Sequence, residues 1–296
     1  MSISEMQLET WSKVGAVVSS RDTYATIKDA LDAPDAAYAG KKCSVFLQGS
    51  YGNDTNVYAE SDVDIVIVLN NVYFHGISAL SDTDKANFHR ARVAAGYGYA
   101  AFKRDVLALL TKKFGKDVVA GDKAIQIAAS GSRRKADVIV AVEYREYTSH
   151  NDVAGINYIS GIAFRDAANN LIANYPKRHS DNLTMKHQAT GSWLKPTIRI
   201  FKNMRNRMVE EGKIEAGLAP SYYLEGLLYN VPAGHFGRNY VDTFINSFNY
   251  LAQTDRSKFV CANEQYFLLF ENSPITWRAD KCSKFLTAAA NYWTNW

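Results

Sequence analysis

The run from Asp62 to Phe74, DVDIVIVLNNVYF, places the strongest constraint on how this chain folds. After its first three residues the run is rich in β-branched side chains and apolar on both faces of a strand. A strand of this kind is stable when other elements cover both of its faces. The run therefore predicts a central strand in a covered sheet, and a chain of 296 residues can supply the necessary core.

The surrounding segments predict a mixed domain followed by a helical one. In the first part we expect helices at 5–32 and about 102–114, and strands at 41–47, 123–128 and 136–144. From about residue 155 the pattern is mostly helical, with helices expected at 192–211, 221–231, 240–251 and 279–293. This order predicts an α+β fold, with a mixed-sheet domain at 1–155 packed against a helical domain at 156–296.

Composition excludes several classes of protein. The 34 Lys and Arg residues against 30 Asp and Glu give a net charge of only +4, which is too small to imply a nucleic-acid partner. The three cysteines are far apart in the sequence, which favours neither a disulfide framework nor a zinc site. The N-terminal residues resemble no secretory signal, and no apolar stretch is long enough to span a membrane. We therefore expect a cytoplasmic protein.

Two carboxylates at the start of the central strand suggest a metal site. Asp62 and Asp64 are two residues apart, so in a strand both side chains project from the same face. Like charges at this separation repel and need a counter-charge, and Mg²⁺ prefers such hard oxygen ligands. The alternative is a solvated strand end or a turn with no metal.

Two further features of the sequence could complete a site together with Asp62 and Asp64. Asp137 opens the strand ADVIVAVEY, and if that strand pairs with the first, a third carboxylate joins the set and two cations can be bridged. Gly49 and Ser50 follow a strand in a turn whose amides and hydroxyl can cradle phosphate oxygens. Taken singly, Asp137 is also consistent with an ordinary strand-edge acid, and the Gly-Ser pair with an ordinary turn.

The order Gly49-Ser50, Asp62-x-Asp64 and a lone downstream strand Asp137 resembles the polymerase-β-like nucleotidyltransferase superfamily. Within it, GSYGNDTNVYAESDVDIVIVL resembles the cGAS/DncV-like nucleotidyltransferases (CD-NTases), bacterial cyclic oligonucleotide synthases of anti-phage (CBASS) defence. This resemblance implies an active site in the cleft between the two domains and a reaction that needs no nucleic-acid activator. It also implies that Asp62, Asp64 and Asp137 are catalytic and bind two Mg²⁺ ions, for which Mn²⁺ can substitute.

The helical half adds a second part to the resemblance. In SWLKPTIRIFKNMRNRMVEE, an apolar stripe is formed by Leu194, Ile198, Phe201 and Met208. Beside it lies a basic stripe of Lys195, Arg199 and Lys202, which continues to Asn206. The basic stripe suits either a phosphate-binding cleft or a solvated face. By resemblance to cyclic GMP–AMP synthase, Lys202 and Ser221 bind triphosphate oxygens together with Gly49 and Ser50, and Tyr222 stacks on a base. Tyr223 is the alternative to Tyr222, and helix capping is the alternative for Ser221.

The expected function is Mg²⁺-dependent condensation of nucleoside triphosphates, with ATP and GTP expected, into a cyclic di- or trinucleotide with release of pyrophosphate. The product would act on an unidentified effector, and regulatory protein partners remain open. One alternative is nucleotide transfer to another acceptor, such as a small molecule, a protein or a tRNA end. The other is a non-catalytic nucleotide- or RNA-binding module on the same fold.

Overall fold

The computed structural model describes residues 2–15, 18–58, 62–271 and 276–296. These residues fall into two compact units. The sheet unit comprises Val18–Gln48 and Ser61–Pro176, and the helical unit comprises Met1–Val17, Gly49–Glu60 and Lys177–Trp296. The division into domains at 1–155 and 156–296 stays a prediction, because each of the two units is assembled from separate segments of the chain.

One mixed sheet organises the sheet unit. Its described strands are β1 (Cys43–Leu47), β2 (Val63–Gly76), β3 (Val118–Ala120), β4 (Ile125–Ile127), β5 (Ala136–Asn151), β6 (Gly155–Arg165) and β7 (Leu171–Asn174). The spatial order is β1-β2-β5-β4-β3, with β6 paired to β5 and β7 paired to β6. β2 and β5 run parallel, whereas the other pairs are antiparallel.

The predicted central strand is confirmed. β2 lies between β1 and β5, and the residues from Ile65 to Leu69 are all at most 4% exposed. Their burial on both faces agrees with the continuous apolar run that predicted it. The pairing with β5 shifts register between Leu69 and Tyr73, five residues beyond Asp64.

The prediction of mostly helical structure from residue 155 is wrong for the next twenty residues. β5 continues to Asn151 and turns back into β6 at Gly155, which has a φ of +74°. The outer half of β6 is largely exposed, so its residues carry little apolar signal for a strand. Its strand structure depends on pairing with the long β5, and the helices begin only at Pro176.

Among the described residues, the longer helices of the sheet unit are α2 (Val18–Leu31), α4 (Asp82–Ala91) and α5 (Tyr99–Phe114). The predicted amphipathic helix near 102–114 is confirmed as α5, which buries Phe102, Val106, Leu109 and Leu110. The single helix expected at 5–32 is wrong, because α1 (Glu5–Ser12) ends well before α2. Gly15 lies between them, and a Cβ there would come within 2.6 Å of the Val57 backbone, so the chain passes too closely for most residues.

The helical unit contains α1, the single turn α3 (Gly49–Gly52), α6 (Pro176–Ala189), α7 (Leu194–Glu210), α8 (Ser221–Tyr229), α9 (Tyr240–Gln253) and α10 (Ala279–Thr294). The apolar stripe predicted for α7 is confirmed, since each of its four members is fully buried. They join one core with side chains from α1, α8, α9 and α10. At the chain's end Trp293 stacks on Phe244, with ring centroids 4.4 Å apart. No described helix combines the length and apolarity needed to cross a bilayer.

Candidate active site

Asp64 and Asp137 are brought side by side by the parallel pairing of β2 and β5. Their Cα atoms are register partners at the beginning of both strands. Registered residues on neighbouring strands project from the same face, about 5 Å apart. Asp62 lies one residue before β2. The two Asp-containing strands are therefore paired, which was the condition for a third carboxylate beside the first two, while the catalytic and metal-binding roles stay predictions.

Lys135 connects these acids electrostatically. Its Nζ donates to Asp62 Oδ2 at 2.6 Å, and this hydrogen bond raises the pKa of the ammonium, together with the charges of Asp62, Asp137 and Asp64. All three carboxylates thus act on one cation. Desolvation raises the pKa of Asp137, as does Asp62, while Lys135 opposes the rise. Lys135 was not predicted as a member of the site, although its position two residues before Asp137 hinted at it.

The oxygen ligands of the carboxylate set suit a divalent cation, and one specific carboxylate oxygen lacks a hydrogen-bond partner. Asp137 Oδ1 is buried and has no hydrogen-bond partner, which is unusual for a carboxylate oxygen. A cation would satisfy this atom, and hard oxygen donors of this type suit Mg²⁺. In the described part of the chain, no group of three or more His, Cys, Asp or Glu side chains is arranged so that it could hold a metal ion. The positive charge next to Asp62 is supplied by Lys135.

The predicted Gly-Ser turn is a turn in the structure. Gly49 has a φ of +66° and opens the single turn α3. The amide of Asn53 donates to the Gly49 carbonyl at 3.1 Å, and the amide of Thr55 donates to the Ser50 carbonyl at 2.9 Å. Residues 53–55 therefore continue the turn and are bonded to it, whereas nucleotide binding by Gly49 and Ser50 stays a prediction.

The basic stripe of α7 is neither solvated nor directed at an open surface. Lys195 and Arg199 are each 7% exposed, and Lys202 is fully buried. Lys195 Nζ lies 3.3 Å from Asp54 Oδ2, and Arg199 Nη1 donates to the Asp54 carbonyl at 2.5 Å. Lys202 Nζ donates to Thr55 Oγ1 at 3.2 Å. The stripe thus holds the segment that follows the Gly-Ser turn, and direct phosphate binding by Lys202 stays a prediction.

Glu225 is a second residue that sequence reasoning missed. It is 2% exposed on α8 and accepts from Lys202 Nζ at 2.9 Å, Thr55 Oγ1 at 2.5 Å and Asn53 Nδ2 at 3.1 Å. His179 Nε2 lies 2.7 Å from the same carboxylate. Burial alone would raise the pKa of Glu225, but Lys202, His179 and Thr55 together hold it well below its ordinary value. A single acid among the leucines of YYLEGLL was the available signal, because buried acids require partners.

Ser221 and Tyr222 open α8 in different surroundings. The N-cap position is Pro220, so the alternative assignment of Ser221 as the helix cap is wrong. Ser221 Oγ instead lies 3.2 Å from Arg205 Nη2. The Tyr222 ring stacks on His179 with centroids 4.8 Å apart, and burial raises the pKa of its hydroxyl. Tyr223 stacks on Trp277 at 5.9 Å, so each tyrosine has one face covered by an aromatic ring.

Comparisons with known proteins identify the family. Residues 181–294 match the cGAS/DncV-like nucleotidyltransferase C-terminal helical domain. The chain is 39% identical to a cyclic UMP-AMP synthase from Rhodothermus marinus, with 100% of this chain and 99% of that protein covered. It is 34% identical to a cyclic nucleotide synthase from Staphylococcus haemolyticus, with 100% of both covered.

A solved structure agrees with these sequence relationships. The Rhodothermus marinus c-UMP-AMP synthase with Apcpp and Upnpp has a TM-score of 0.89 and 38% identity to this chain, covering 99% of this chain and 97% of that one. The predicted fold class, family and enzyme class are therefore confirmed. The chain is a nucleotidyltransferase and belongs to the cGAS/DncV-like family, whose relatives named here are cyclic nucleotide synthases.

Proposed function

We propose that this enzyme condenses two or three nucleoside triphosphates into a cyclic oligonucleotide and releases pyrophosphate. The observation that carries the proposal is the match over the full chain to a cyclic UMP-AMP synthase at 39% identity. The registered pair Asp64 and Asp137 supports it, because the same sheet position supplies two adjacent carboxylates. UTP and ATP are the first substrates to test, followed by GTP and CTP.

Asp62, Asp64 and Asp137 are the proposed ligands of two Mg²⁺ ions, with Mn²⁺ as a substitute. When bound, such ions activate the attacking hydroxyl and stabilise the leaving pyrophosphate. Asp137 is the carboxylate that we place next to the attacking ribose hydroxyl, since its Oδ1 has no protein partner. Phosphoryl transfer depends mainly on positioning and charge neutralisation, which these residues can provide.

The nucleotide contacts are proposed for a second group of residues. The amides and hydroxyl of Gly49 and Ser50, with the Ser221 hydroxyl, would bind triphosphate oxygens. Tyr222 would stack on a base, as its ring already stacks on His179. Lys202 would have to break its contact with Glu225 to reach a phosphate. Its primary proposed role is therefore to hold Thr55 in place.

Incubation with the four nucleoside triphosphates and Mg²⁺, followed by phosphatase and mass spectrometry, tests the reaction. We expect a phosphatase-resistant cyclic nucleotide whose formation stops with EDTA and is unchanged by duplex DNA or RNA. Product only in the presence of another acceptor would instead favour transfer to that acceptor. Nucleotide binding with no turnover would favour the non-catalytic alternative. In the cell we propose a cytoplasmic role in anti-phage signalling through an effector that recognises the product.

Lys135→Met is expected to raise the affinity for a divalent cation about five- to tenfold. The substitution removes a positive charge that lies 2.6 Å from Asp62 and acts on all three acids, so it relieves charge repulsion against the incoming ion. Titration with Mn²⁺, followed by electron paramagnetic resonance, measures the affinity without turnover. Lys123→Met, elsewhere in the sheet unit, is the matched control. Unchanged or weaker Mn²⁺ binding in Lys135→Met would contradict the proposed metal site.

A further inference from the structure

Residues 53–55 are held in place by an unusual number of buried polar contacts for a loop segment. Asn53 is 5% exposed and Thr55 fully buried, although both are polar and lie outside regular structure. Asp54 between them has a φ of +54°, a left-handed conformation that a non-glycine residue adopts at a cost. This conformation persists only where surrounding contacts enforce it.

Glu225 provides those contacts from α8. Its Oε1 accepts from the Thr55 hydroxyl and its Oε2 accepts from the Asn53 amide group, at 2.5 and 3.1 Å. Lys202 lies within hydrogen-bond distance of both Glu225 and Thr55 and neutralises the buried carboxylate. A buried ion pair of this kind adds little net stability, because desolvation offsets its attraction. Its benefit is a defined geometry for the groups bonded to it.

The backbone carries this geometry to the Gly-Ser turn. The amides of Asn53 and Thr55 donate to the carbonyls of Gly49 and Ser50, respectively. Contacts that fix Asn53 and Thr55 therefore also fix the Gly-Ser turn. Glu225 also contacts His179, whose ring stacks on Tyr222. One carboxylate is thus connected to both groups of proposed nucleotide contacts, all within the helical unit.

We propose that Glu225 is a positioning residue, which acts through Asn53 and Thr55 to preorganise the Gly49–Gly52 turn for triphosphate binding. The inference rests on the proposed function, since it assigns the turn to the triphosphate. Glu225 itself is buried within the protein and touches no substrate in this scheme. Preorganisation lowers the entropic cost of binding, so its loss weakens nucleotide affinity even when the fold is retained.

Thr55→Val and Thr55→Ser form the matched pair that tests the proposal. Valine keeps the shape of threonine and removes the hydroxyl, whereas serine keeps the hydroxyl and removes a methyl group. We expect Thr55→Val to weaken binding of a non-hydrolysable ATP analogue about tenfold, as for a lost hydrogen bond to a charged group. We expect Thr55→Ser to stay within about twofold of wild type, because the bond to Glu225 is kept.

Hydrogen exchange provides a readout that does not depend on nucleotide or turnover. Backbone amides of residues 49–55 should exchange about tenfold faster in Thr55→Val than in Thr55→Ser at similar melting temperature. Asn53→Ala, which removes the other contact to Glu225, should produce the same change and serves as a second variant if Thr55→Val unfolds.

The outcomes separate this inference from the proposed function. Unchanged exchange of the turn in both Thr55→Val and Asn53→Ala would overturn the positioning role, whatever the enzyme synthesises. Lower melting temperatures with unaltered analogue affinity would also overturn it, because they would show a purely structural role. Faster exchange and weaker analogue binding in an enzyme that forms no cyclic product would support the positioning role and contradict the proposed reaction.

Discussion

Asp64→Asn combined with Asp137→Asn is expected to reduce cyclic nucleotide synthesis by about 1,000-fold or more. The two side chains are register partners on β2 and β5, so the double substitution removes two adjacent negative charges with almost no change of shape. Without them the proposed cations lose ligands and the charge on the leaving pyrophosphate is not stabilised. The initial rate of product formation, measured by mass spectrometry at saturating Mg²⁺, provides the test.

A matched control separates this effect from a loss of folding. Asp82→Asn changes an exposed acid in the same unit, outside the carboxylate set, and should leave the rate near that of wild type. The double variant should also keep its melting temperature, because removing mutual repulsion compensates for lost contacts. A folded double variant that retains substantial synthesis would contradict the assignment of both acids.

Glu225→Gln is expected to lower the free energy of unfolding by about 3–5 kcal/mol, the usual cost of breaking one side of a buried ion pair. Lys202 is fully buried, and the neutral glutamine would remove the negative charge that lies 2.9 Å from its ammonium. Denaturant unfolding of the wild type and the variant measures the difference. Glu210→Gln removes a surface partner of Arg207 and should change stability little. Equal stability of Glu225→Gln and wild type would contradict the ion pair.

The same carboxylate predicts an acid limit to stability. Its pKa is lower in the folded protein than the ordinary value of about 4.3, so the folded state favours the charged form. The stabilisation is complete above the ordinary pKa and is lost as the pH falls below about 4.3 towards the folded-state pKa. Glu225→Gln should therefore lack this part of the acid-induced loss of stability.

Local patterns predicted those parts of the molecule in which each residue's environment follows from its neighbours. β2 was predictable because burial on both faces of a strand produces a continuous apolar run. The stripe of α7 was predictable because burial on one face of a helix produces an apolar repeat. β6 was missed because its exposed outer half takes its strand structure from pairing with β5. No local repeat records a pairing of that kind.

The candidate site shows the same division. The spacing of Asp62, Asp64 and Asp137 suggested a shared position, and the register of β2 and β5 agrees for the last two. The Glu225 network was not predicted, because its members are separated by up to 172 residues along the chain. Lys202 was selected from the sequence for its charge and for the resemblance of its segment to cyclic GMP–AMP synthase. Its burial beside Glu225 is apparent only in the folded structure.

The register shift in β2 has a consequence for how this enzyme can vary during evolution. Between Leu69 and Tyr73 the strand accommodates extra residues relative to β5, whereas the pairing from Val63 to Leu69 is uninterrupted. An inserted residue before Leu69 would turn one acid to the opposite face of the sheet. Insertions and deletions should therefore accumulate beyond Leu69, where the strand can lengthen or shorten without separating Asp64 from Asp137.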